Sequence, residues 1–352
     1  MGLFNELKRK FDGIFEEEVI GLDIGDESIK ITEVDTSWGK IELNNLQIFA
    51  TPTGTVKDGK LVDLSTLAKA INNALDKGKF NANKVVSAVS GEQVISRTIE
   101  IPSSSVGDGL EETVRWEAED QLPVEIEEVI LDYEILGETP NGQTQILIIA
   151  IRKKLINDYL ELFNKLDLIP VAIETEPIAI ARTVDKLYLS PTVCVIDIGV
   201  KTTDISVVSQ DKLLFSRTVG MGGQSITQEI SEAHNLTMKE AERYKKENNL
   251  FKESEPNFIL KNLTTAIYRS LDYFQVKNAE NEIEKIVLTG GGAKLTDFDK
   301  HLTQEFGVKV ETLGLSDRLV TNNNNLSNYD LDDAAQLLGV SIGLSLRKEE
   351  TE

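Results

Sequence analysis

Two short stretches of the sequence each place an aspartate and a glycine after an apolar run. The first is Gly21–Gly25 (GLDIG) and the second is Val195–Gly199 (VIDIG). At the end of a strand, such a glycine lets the backbone approach a phosphate, and the N–H groups of the turn can point at the phosphate oxygens. The hydroxyls of Ser28, Thr202 and Thr203 follow the two glycines and can add side-chain donors. The pattern is therefore typical of a phosphate-binding hairpin.

The aspartates of the two stretches, Asp23 and Asp197, can serve one metal ion together. Magnesium usually keeps several of its waters, so one or two carboxylates suffice to hold it against the β- and γ-phosphates of a nucleotide. A single Asp-Ile-Gly is most often a β-turn with an exposed acid. Because the motif occurs twice in the same strand–turn–strand context, the phosphate-binding interpretation is favoured.

Two further stretches carry groups that suit a nucleotide site. Thr289–Gly292 (TGGG) follows an apolar strand. Its glycines can let a flat ligand or a phosphate come close to the backbone, or they can serve only the tight packing of a turn. Glu176 precedes Pro177 at the junction between the two halves of the chain. Its carboxylate can orient a water near a γ-phosphate, or the pair can simply begin a helix with proline in the first turn.

Apolar periodicity predicts the elements that must position these groups. In the first half it predicts strands at residues 19–24, 28–34 and 40–49 and then a helix at 63–77. The same plan returns in the second half, with strands at 192–198, 203–209 and 212–219 and then helices at 225–234 and 238–247. A helix at 257–276, a strand at 285–288 and a helix at 332–346 follow. This repeat predicts an α/β protein with two similar lobes.

Residues 84–169 have strands and helices of their own and predict a small α/β unit inserted in the first lobe. We therefore expect an N-terminal segment at 1–18, a first lobe at 19–191, a second lobe at 192–346 and an acidic tail at 347–352. Within the N-terminal segment, residues 3–15 form an amphipathic pattern with three basic residues between large apolar ones. Such a helix can dock onto its own domain or serve an interface or a partner.

Composition narrows the classes of partner. The chain has 37 basic and 59 acidic residues and a formal net charge of −22, which argues against nucleic acid, because that binding depends on phosphate neutralisation by Lys and Arg. The only cysteine, Cys194, cannot form an internal disulfide and fits a reducing compartment. No apolar stretch approaches the roughly 18 residues that span a bilayer, and no signal peptide is recognisable. We expect a cytoplasmic protein.

Taken in order, these motifs resemble the actin, sugar kinase and heat-shock ATPase superfamily, which has two phosphate hairpins, two connecting helices and a glycine loop for adenosine. The inserted unit is similar to the extra subdomain of the cell-division protein FtsA and of the PilM family of type IV pilus assembly proteins. The stretches most similar to the PilM family are residues 110–119 (LEETVRWEAE), 122–123, 131–133, 168–174, 222–227 and 241–242. The resemblance covers nearly all of the chain from residue 19 onward.

The resemblance implies a two-lobed actin-like, ribonuclease H-like fold that binds ATP and Mg²⁺. It implies that Asp23 and Asp197 face the metal, and that Glu176, with Asp197, has the catalytic role of positioning a water. The residues implied to bind the nucleotide are Asp23, Gly25, Ser28, Lys30, Gly199, Lys201, Thr202, Thr203, Gly222, Gly223, Glu242, Lys245, Gly290, Gly291 and Gly292. Lys201 departs from the small residue usual in this loop, so it can pair with a phosphate or restrict the loop. Related proteins bind ATP more conspicuously than they hydrolyse it, which implies slow turnover at most.

PilM-like proteins belong to the inner-membrane alignment complex of type IV pili and bind the cytoplasmic N-terminal peptide of a bitopic partner, PilN, beside the inserted unit. The resemblance therefore implies a PilN-like partner, pilus motor ATPases as further partners, and a peripheral place at the inner membrane. The alternative is an FtsA-like division protein, which would carry a membrane-targeting helix where this sequence has a short acidic tail. A sugar kinase needs a substrate pocket that the sequence does not reveal, and ParM-like filament proteins lack the inserted unit.

Overall fold

The computed structural model describes residues 18–37, 40–89, 93–107, 109–139, 141–188, 192–209, 212–252, 258–278, 280–314, 319–321, 326 and 329–347. The amphipathic helix predicted at residues 3–15 and the tail after Arg347 lie outside this range. In the described part of the chain, no helix combines the length and the apolar content needed to cross a membrane.

The first lobe is built on a six-stranded mixed sheet. Its strands are β1 (Val19–Ile24), β2 (Ser28–Ser37), β3 (Lys40–Ala50), β6 (Lys84–Val89), β10 (Ile169–Thr175) and β16 (Leu319–Val320). They lie in the order β10-β6-β1-β2-β3-β16, with β1 antiparallel to β2 and parallel to β6. Every residue of β1 is buried, as a continuous apolar run in the centre of a covered sheet requires. A small hairpin, β4 (Val56–Lys57) and β5 (Lys60–Leu61), follows β3.

The second lobe repeats this plan with a five-stranded sheet. Its strands are β11 (Thr192–Ile198), β12 (Thr203–Ser209), β13 (Lys212–Val219), β14 (Lys285–Thr289) and β15 (Lys309–Thr312). The order is β13-β12-β11-β14-β15. In both lobes, therefore, an antiparallel three-strand meander is extended by two parallel strands beside its first strand. The two DIG stretches end the first strand of each meander, so they occupy equivalent places.

The helices of the described chain flank these sheets. They are α1 (Leu64–Gly78), α2 (Leu110–Gln121), α3 (Lys153–Leu166), α4 (Glu176–Tyr188), α5 (Gly223–His234), α6 (Met238–Glu247), α7 (Phe258–Lys277), α8 (Phe298–Phe306) and α9 (Leu331–Ser345). Asp63 caps α1 by accepting hydrogen bonds from the backbone N–H groups of Ser65 and Thr66, which satisfies donors that the first turn leaves open.

A separate unit is inserted in the first lobe, and it is smaller than the block at 84–169. Its three strands, β7 (Val94–Pro102), β8 (Val129–Glu138) and β9 (Gln143–Arg152), form a sheet of order β7-β9-β8. Helix α2 packs Val114 and Ala118 against this sheet. Strand β6 instead pairs with β1 and β10, and α3 packs against α1, so both of these elements belong to the first lobe.

Helices α4 and α9 join the lobes by crossing between the two sheets. Helix α4 follows the first sheet in sequence but also packs on β12 and β13, whereas α9 follows the second sheet and packs on β1, β2 and β6. At their crossing, a Cβ on Gly343 would overlap the carbonyl oxygen of Ala179. The hydroxyl of Thr183 donates to the carbonyl of Gly339 at 2.6 Å. This close contact fixes the two helices under the cleft between the lobes.

Candidate functional site

The two DIG hairpins have the same register. In the first, Asp23 on β1 lies opposite Lys30 on β2, and in the second, Asp197 on β11 lies opposite Asp204 on β12. Their turns are closed in the same way, by N–H of Gly25 to the carbonyl of Ser28 at 3.1 Å and by N–H of Gly199 to the carbonyl of Thr202 at 2.9 Å. The hairpins therefore differ mainly in which side chain faces the aspartate.

In the first hairpin, the aspartate is neutralised within its own lobe. Nζ of Lys30 lies 3.1 Å from Oδ2 of Asp23, and both side chains are largely buried. Burial alone would lower the pKa of the Lys30 ammonium, but Asp23, followed by Glu176 and Asp197, raises it above its usual value. Lys30 is therefore held in its charged form among three carboxylates.

In the second hairpin, two carboxylates face each other. Burial raises the pKa of Asp204 to about 6, although a hydrogen bond from the hydroxyl of Thr218 opposes the rise. Burial, and then the neighbouring Asp204, raises the pKa of Asp197 to about 7, while Lys30 opposes this shift. The second hairpin therefore contributes negative charge that no residue of its own neutralises.

Glu176 brings a further carboxylate to the same place. It is the first residue of α4, and the packing of that helix on β12 places it near the second hairpin. Burial, followed by repulsion from Asp23, Asp204 and Asp197, raises its pKa well above the usual value. Three carboxylates, those of Asp23, Glu176 and Asp197, thus act on the ammonium group of Lys30, and Asp204 adds a fourth beside Asp197 and Glu176. This group of carboxylates fits a bound cation.

The donor set suits a hydrated magnesium ion. Within the described residues, no group of three or more His, Cys, Asp or Glu side chains is arranged to ligate a metal ion directly. Magnesium is commonly held by one or two carboxylates and its own waters, and Asp23 and Asp197 at the paired hairpins can supply those carboxylates. The two aspartates as metal ligands stay a prediction.

The glycine loop after β14 packs against the second hairpin. Strand β14 is parallel to β11, with Thr289 beside Asp197. A Cβ on Gly290, which has a φ of +78°, would overlap the Asp197 carboxylate, and one on Gly292 would overlap the side chain of Ile198. Gly291 faces open space. The loop therefore needs two of its glycines for packing and leaves the third beside the cleft.

The N-terminus of α5 also contacts the second hairpin. The N–H of Gly223 donates to the carbonyl of Gly199 at 2.9 Å, and a Cβ on Gly222 would lie 2.7 Å from the backbone of Val200. Nζ of Lys245, on α6, donates to the carbonyl of Gly223 at 2.9 Å and lies 2.7 Å from the Glu242 carboxylate. Glu242 and Lys245 therefore lie near the hairpin and are paired with each other.

The three hydroxyls predicted to contact phosphates, those of Ser28, Thr202 and Thr203, differ in burial and hydrogen bonding. Ser28 and Thr202 are half-buried at the ends of their turns. Thr203 is fully buried, and its hydroxyl donates to the carbonyl of Met221 at 2.8 Å. That hydrogen bond directs the Thr203 hydroxyl toward the end of β13, so in this conformation it serves the sheet and not the turn.

Lys201 bridges the two lobes. Its Nζ lies 2.6 Å from Oδ1 of Asp58, in the turn of the β4–β5 hairpin, and 3.4 Å from Oδ2 of Asp26, in the first DIG hairpin. Of the two alternatives that the sequence leaves open, this arrangement corresponds to a restricted loop. The bridge joins the turn of the second DIG hairpin to the first lobe.

Sequence reasoning missed Asp204, Thr218, Asp26 and Asp58. A signal for Asp204 existed, because a four-residue turn places the residue two positions before it opposite the residue seven positions later, which pairs Asp197 with Asp204 as it pairs Asp23 with Lys30. Thr218 could be found in the same way, because the hairpin of β12 and β13 places it opposite Asp204. Asp58 has no such signal, since its contact with Lys201 joins residues 143 positions apart.

A cavity of about 250 Å³ lies beside this site. The inserted unit contributes residues of β7 and β9, the first lobe contributes Thr175 and Pro177, and the second lobe contributes residues of β12 and β13. Asp204 also lines it. The cavity and the paired hairpins therefore share one carboxylate.

Comparison with known proteins agrees with this architecture. The family model for the type IV pilus assembly protein PilM matches residues 21–349. A chain of the solved PilM–PilN type IV pilus biogenesis complex is 28% identical, with a TM-score of 0.82, and the match covers 96% of this chain and 100% of that one. MreB5 of Spiroplasma citri bound to AMPPNP is 14% identical, with a TM-score of 0.54 over 93% of this chain and 94% of that one. The likeness to MreB5 is one of fold.

A curated relative is more distant. The cell division protein FtsA of Bacillus subtilis (strain 168) is 24% identical over 258 residues. The match covers 66% of this chain and 58% of that protein, so the chain spans less than two thirds of the length of this relative.

Proposed function

The chain belongs to the PilM family of type IV pilus assembly proteins and has the two-lobed actin-like fold predicted from its sequence, and from this premise we propose that it is an ATP-binding component of the pilus inner-membrane assembly complex. In this proposal it is cytoplasmic and binds the cytoplasmic N-terminal peptide of a PilN-like partner. The observation that carries the nucleotide part is the pair of DIG hairpins with equal register and an excess of carboxylates between them.

The proposed nucleotide lies between the hairpins, with its phosphates against the backbone of the two turns. Asp23 and Asp197 hold Mg²⁺ through its waters, and the ion supplies the positive charge that balances the phosphates and the carboxylates. The loop Gly290–Gly292 is proposed to accept adenosine at Gly291, which faces open space, while Gly290 and Gly292 pack on the second hairpin. Glu242 and Lys245, which contact the first turns of α5 beside the second hairpin, are proposed to contact the nucleotide sugar and base.

The proposed role of ATP is to fix the angle between the lobes. A ligand that contacts both hairpins favours the arrangement in which they face each other, and a partner can bind to that arrangement. Both hairpin lysines are held by carboxylates, Lys30 by Asp23 and Lys201 by Asp26 and Asp58. Because phosphoryl transfer relies on cations that stabilise the transition-state charge, this pairing favours binding over rapid turnover.

Titration of the purified protein with Mg²⁺-ATP tests the nucleotide site. We expect Asp23→Ala and Asp197→Ala each to weaken binding at least about tenfold, since each removes a proposed metal contact. Asp158→Ala is a matched control, because this aspartate pairs with the exposed Lys154 one turn earlier on α3. If both site variants fold and bind Mg²⁺-ATP as the wild type does, the proposed site is wrong.

The cavity beside the inserted unit is the proposed docking place for the PilN-like peptide. It opens between the inserted unit and both lobes, so its shape depends on how the lobes are arranged. The net charge of −22 disfavours direct binding to anionic lipid, so the proposed place at the inner membrane depends on the partner. Pilus motor ATPases are proposed as further partners of the same complex.

A substitution that fills the cavity tests peptide docking. Ser96 on β7 lines the cavity, and we expect Ser96→Tyr to weaken binding of the synthetic N-terminal peptide of the PilN-like protein at least about tenfold by occupying its space. Thr98→Tyr places the same side chain at an exposed position two residues along the same strand. Equal loss in both variants, or no loss in either, contradicts docking at the cavity.

The FtsA-like alternative is less favoured. The match to FtsA is lower in identity and covers less of both chains than the match to the solved PilM chain. A membrane-tethering role needs a lipid-binding segment, and the net negative charge of this chain opposes such binding.

A further inference from the structure

The cavity beside the inserted unit is lined in part by the outer strands of two sheets. Strand β7 is the outer strand of the β7-β9-β8 sheet, and β13 is the outer strand of the second-lobe sheet. Within the described residues, each of them pairs with another strand on one side only. An edge strand presents unpaired N–H and C=O groups along its length, so it is a template for an added strand.

The interior of the cavity contains one buried carboxylate. Asp204 is 7% exposed, and its Oδ1 accepts the hydrogen bond of the Thr218 hydroxyl. In the part of the chain that the structure describes, no side chain or backbone group donates to its Oδ2. A carboxylate can accept about four hydrogen bonds. Asp204 therefore presents unused acceptor capacity to the space in front of it.

The basic residues that line the cavity are directed elsewhere. The guanidinium of Arg217 donates to the hydroxyl of Ser270, on α7, and that of exposed Arg97 donates to the carbonyl of Ser96. Burying a carboxylate without a cationic partner is unfavourable, so a cation from outside the chain would stabilise it.

The rest of the wall is mixed, with four apolar side chains among polar ones. Val94, Ile149, Pro177 and Leu213 line the cavity together with the hydroxyls of Ser96 and Ser216. Lysine and arginine side chains bury an aliphatic stem while their charged end seeks a polar group. The apolar side chains can therefore cover such a stem, while the buried carboxylate of Asp204 can accept from its charged end.

From this geometry we propose that Asp204 binds a cationic group, an ammonium or a guanidinium, carried by the peptide that docks in extended conformation between β7 and β13. This inference rests on the proposed peptide docking and adds the residue that selects the peptide. In the bound state, the aliphatic stem of the side chain lies along Val94, Ile149 and Leu213, and its charged end donates to Oδ2 of Asp204.

A double-mutant cycle tests the proposal by calorimetric titration. The protein variants are the wild type and Asp204→Asn, which keeps the size of the side chain and an oxygen that can accept from Thr218. The probes are the synthetic cytoplasmic N-terminal peptide of the PilN-like protein and versions in which each Lys or Arg is replaced by Met or the terminal amine is acetylated. We expect Asp204→Asn to weaken binding of the unmodified peptide at least about tenfold, as loss of a buried charge pair does.

The cycle separates this proposal from the function on which it rests. For one neutralised peptide, we expect Asp204→Asn to cause no further loss, because the pair is already broken. If the unmodified peptide binds both proteins equally, or if Asp204→Asn causes the same loss with every neutralised peptide, the role of Asp204 is wrong while docking stands. If no peptide binds to the wild type, the docking itself is wrong. Asp158→Asn serves as the control for a change of charge, and melting temperatures verify folding.

Discussion

At the scale of residues, one difference between two equivalent hairpins accounts for the electrostatics of the site. Asp23 faces Lys30, with which it forms an ion pair, whereas Asp197 faces Asp204. The same backbone therefore holds a neutral pair in one lobe and two acids in the other. Because the second pair is disfavoured in its charged form, its repulsion is relieved when a cation binds.

This difference predicts opposite effects of Asp197→Asn on stability and on binding. In EDTA at neutral pH, we expect the variant to be more stable than the wild type by on the order of 1 kcal/mol. This value is well below the free energy that the full pKa shift of Asp197 corresponds to, because solvent screens the charges. Affinity for Mg²⁺-ATP should fall. Thermal unfolding in EDTA and nucleotide titration measure the two effects, and a lower melting temperature in EDTA would contradict the charge argument.

The residues that sequence reasoning could find are those whose role follows from local backbone. Asp23, Asp197 and the glycines stand in turns with a recognisable pattern, and hairpin register extends that reasoning to Lys30 and Asp204. The hydroxyl of Thr203 was harder to assign, since its direction depends on the carbonyl of Met221 at the end of another strand. Cross-lobe contacts such as that of Lys201 depend on packing between lobes, which no local pattern encodes.

At the scale of elements, the crossing of α4 and α9 supports the cleft. Helix α9 contacts the first sheet and α4 the second, so the two helices transmit the position of one lobe to the other. Their backbones come together where Gly343 meets Ala179. Near this crossing, Arg182 and Arg347 both donate to the buried carboxylate of Glu174. The contact between Gly343 and Ala179 leaves no room for a side chain at residue 343.

Gly343→Ala should therefore destabilise the protein. Its new methyl group would overlap the carbonyl of Ala179, and forcing apart two packed helices costs about 1–3 kcal/mol or more. Gly314→Ala is the control, because no atom lies within 4 Å of a Cβ there and its φ is not positive. Urea unfolding of both variants measures the difference, and a Gly343→Ala variant as stable as the control would show that the helices can separate without cost.

Element positions were largely predictable, and the limits of the insertion were not. The strands predicted at 192–198, 203–209 and 212–219 have those bounds in the structure, because alternation and turn residues mark them. The predicted block at 84–169 included β6 and α3, which pack with the first lobe. A strand that joins a neighbouring sheet has the same apolar pattern as one that forms its own. The partner of each strand therefore had to come from the structure.

At the scale of the whole molecule, the lobes face each other across a cleft that Lys201 spans. Its ion pairs with Asp26 and Asp58 join the second DIG hairpin to the first lobe. All three side chains are partly exposed, so solvent screens the pairs and they contribute little to global stability. Their effect should instead appear in how readily the lobes separate.

Lys201→Met should increase opening of the cleft in the nucleotide-free protein. We expect faster amide hydrogen exchange in the turns at 25–28 and 199–202 with little change in the free energy of unfolding, because local opening needs only the cross-lobe contacts to break. Lys300→Met is a matched control that breaks an ion pair with Asp297 inside one helix turn. Unchanged exchange in both turns would mean that Lys201 does not hold the cleft.

The two-lobed plan itself was predictable because the sequence repeats it. Each half has an antiparallel meander with a DIG turn, and the structure gives the meander and its two parallel strands the same order in both sheets, with β16 added in the first. The angle between the lobes was not predictable, since it depends on the crossing helices and on contacts across the cleft. That angle is the quantity that the proposed nucleotide controls.

The central claim is that the two DIG hairpins hold one metal–nucleotide complex between them. A crystal structure of the protein with Mg²⁺ and a non-hydrolysable ATP analogue tests this most directly. The account predicts phosphates against the turns at Gly25 and Gly199, with the metal ion within reach of Asp23 and Asp197 through water. A nucleotide bound elsewhere, or phosphates that contact one hairpin and leave the other apart, would contradict it.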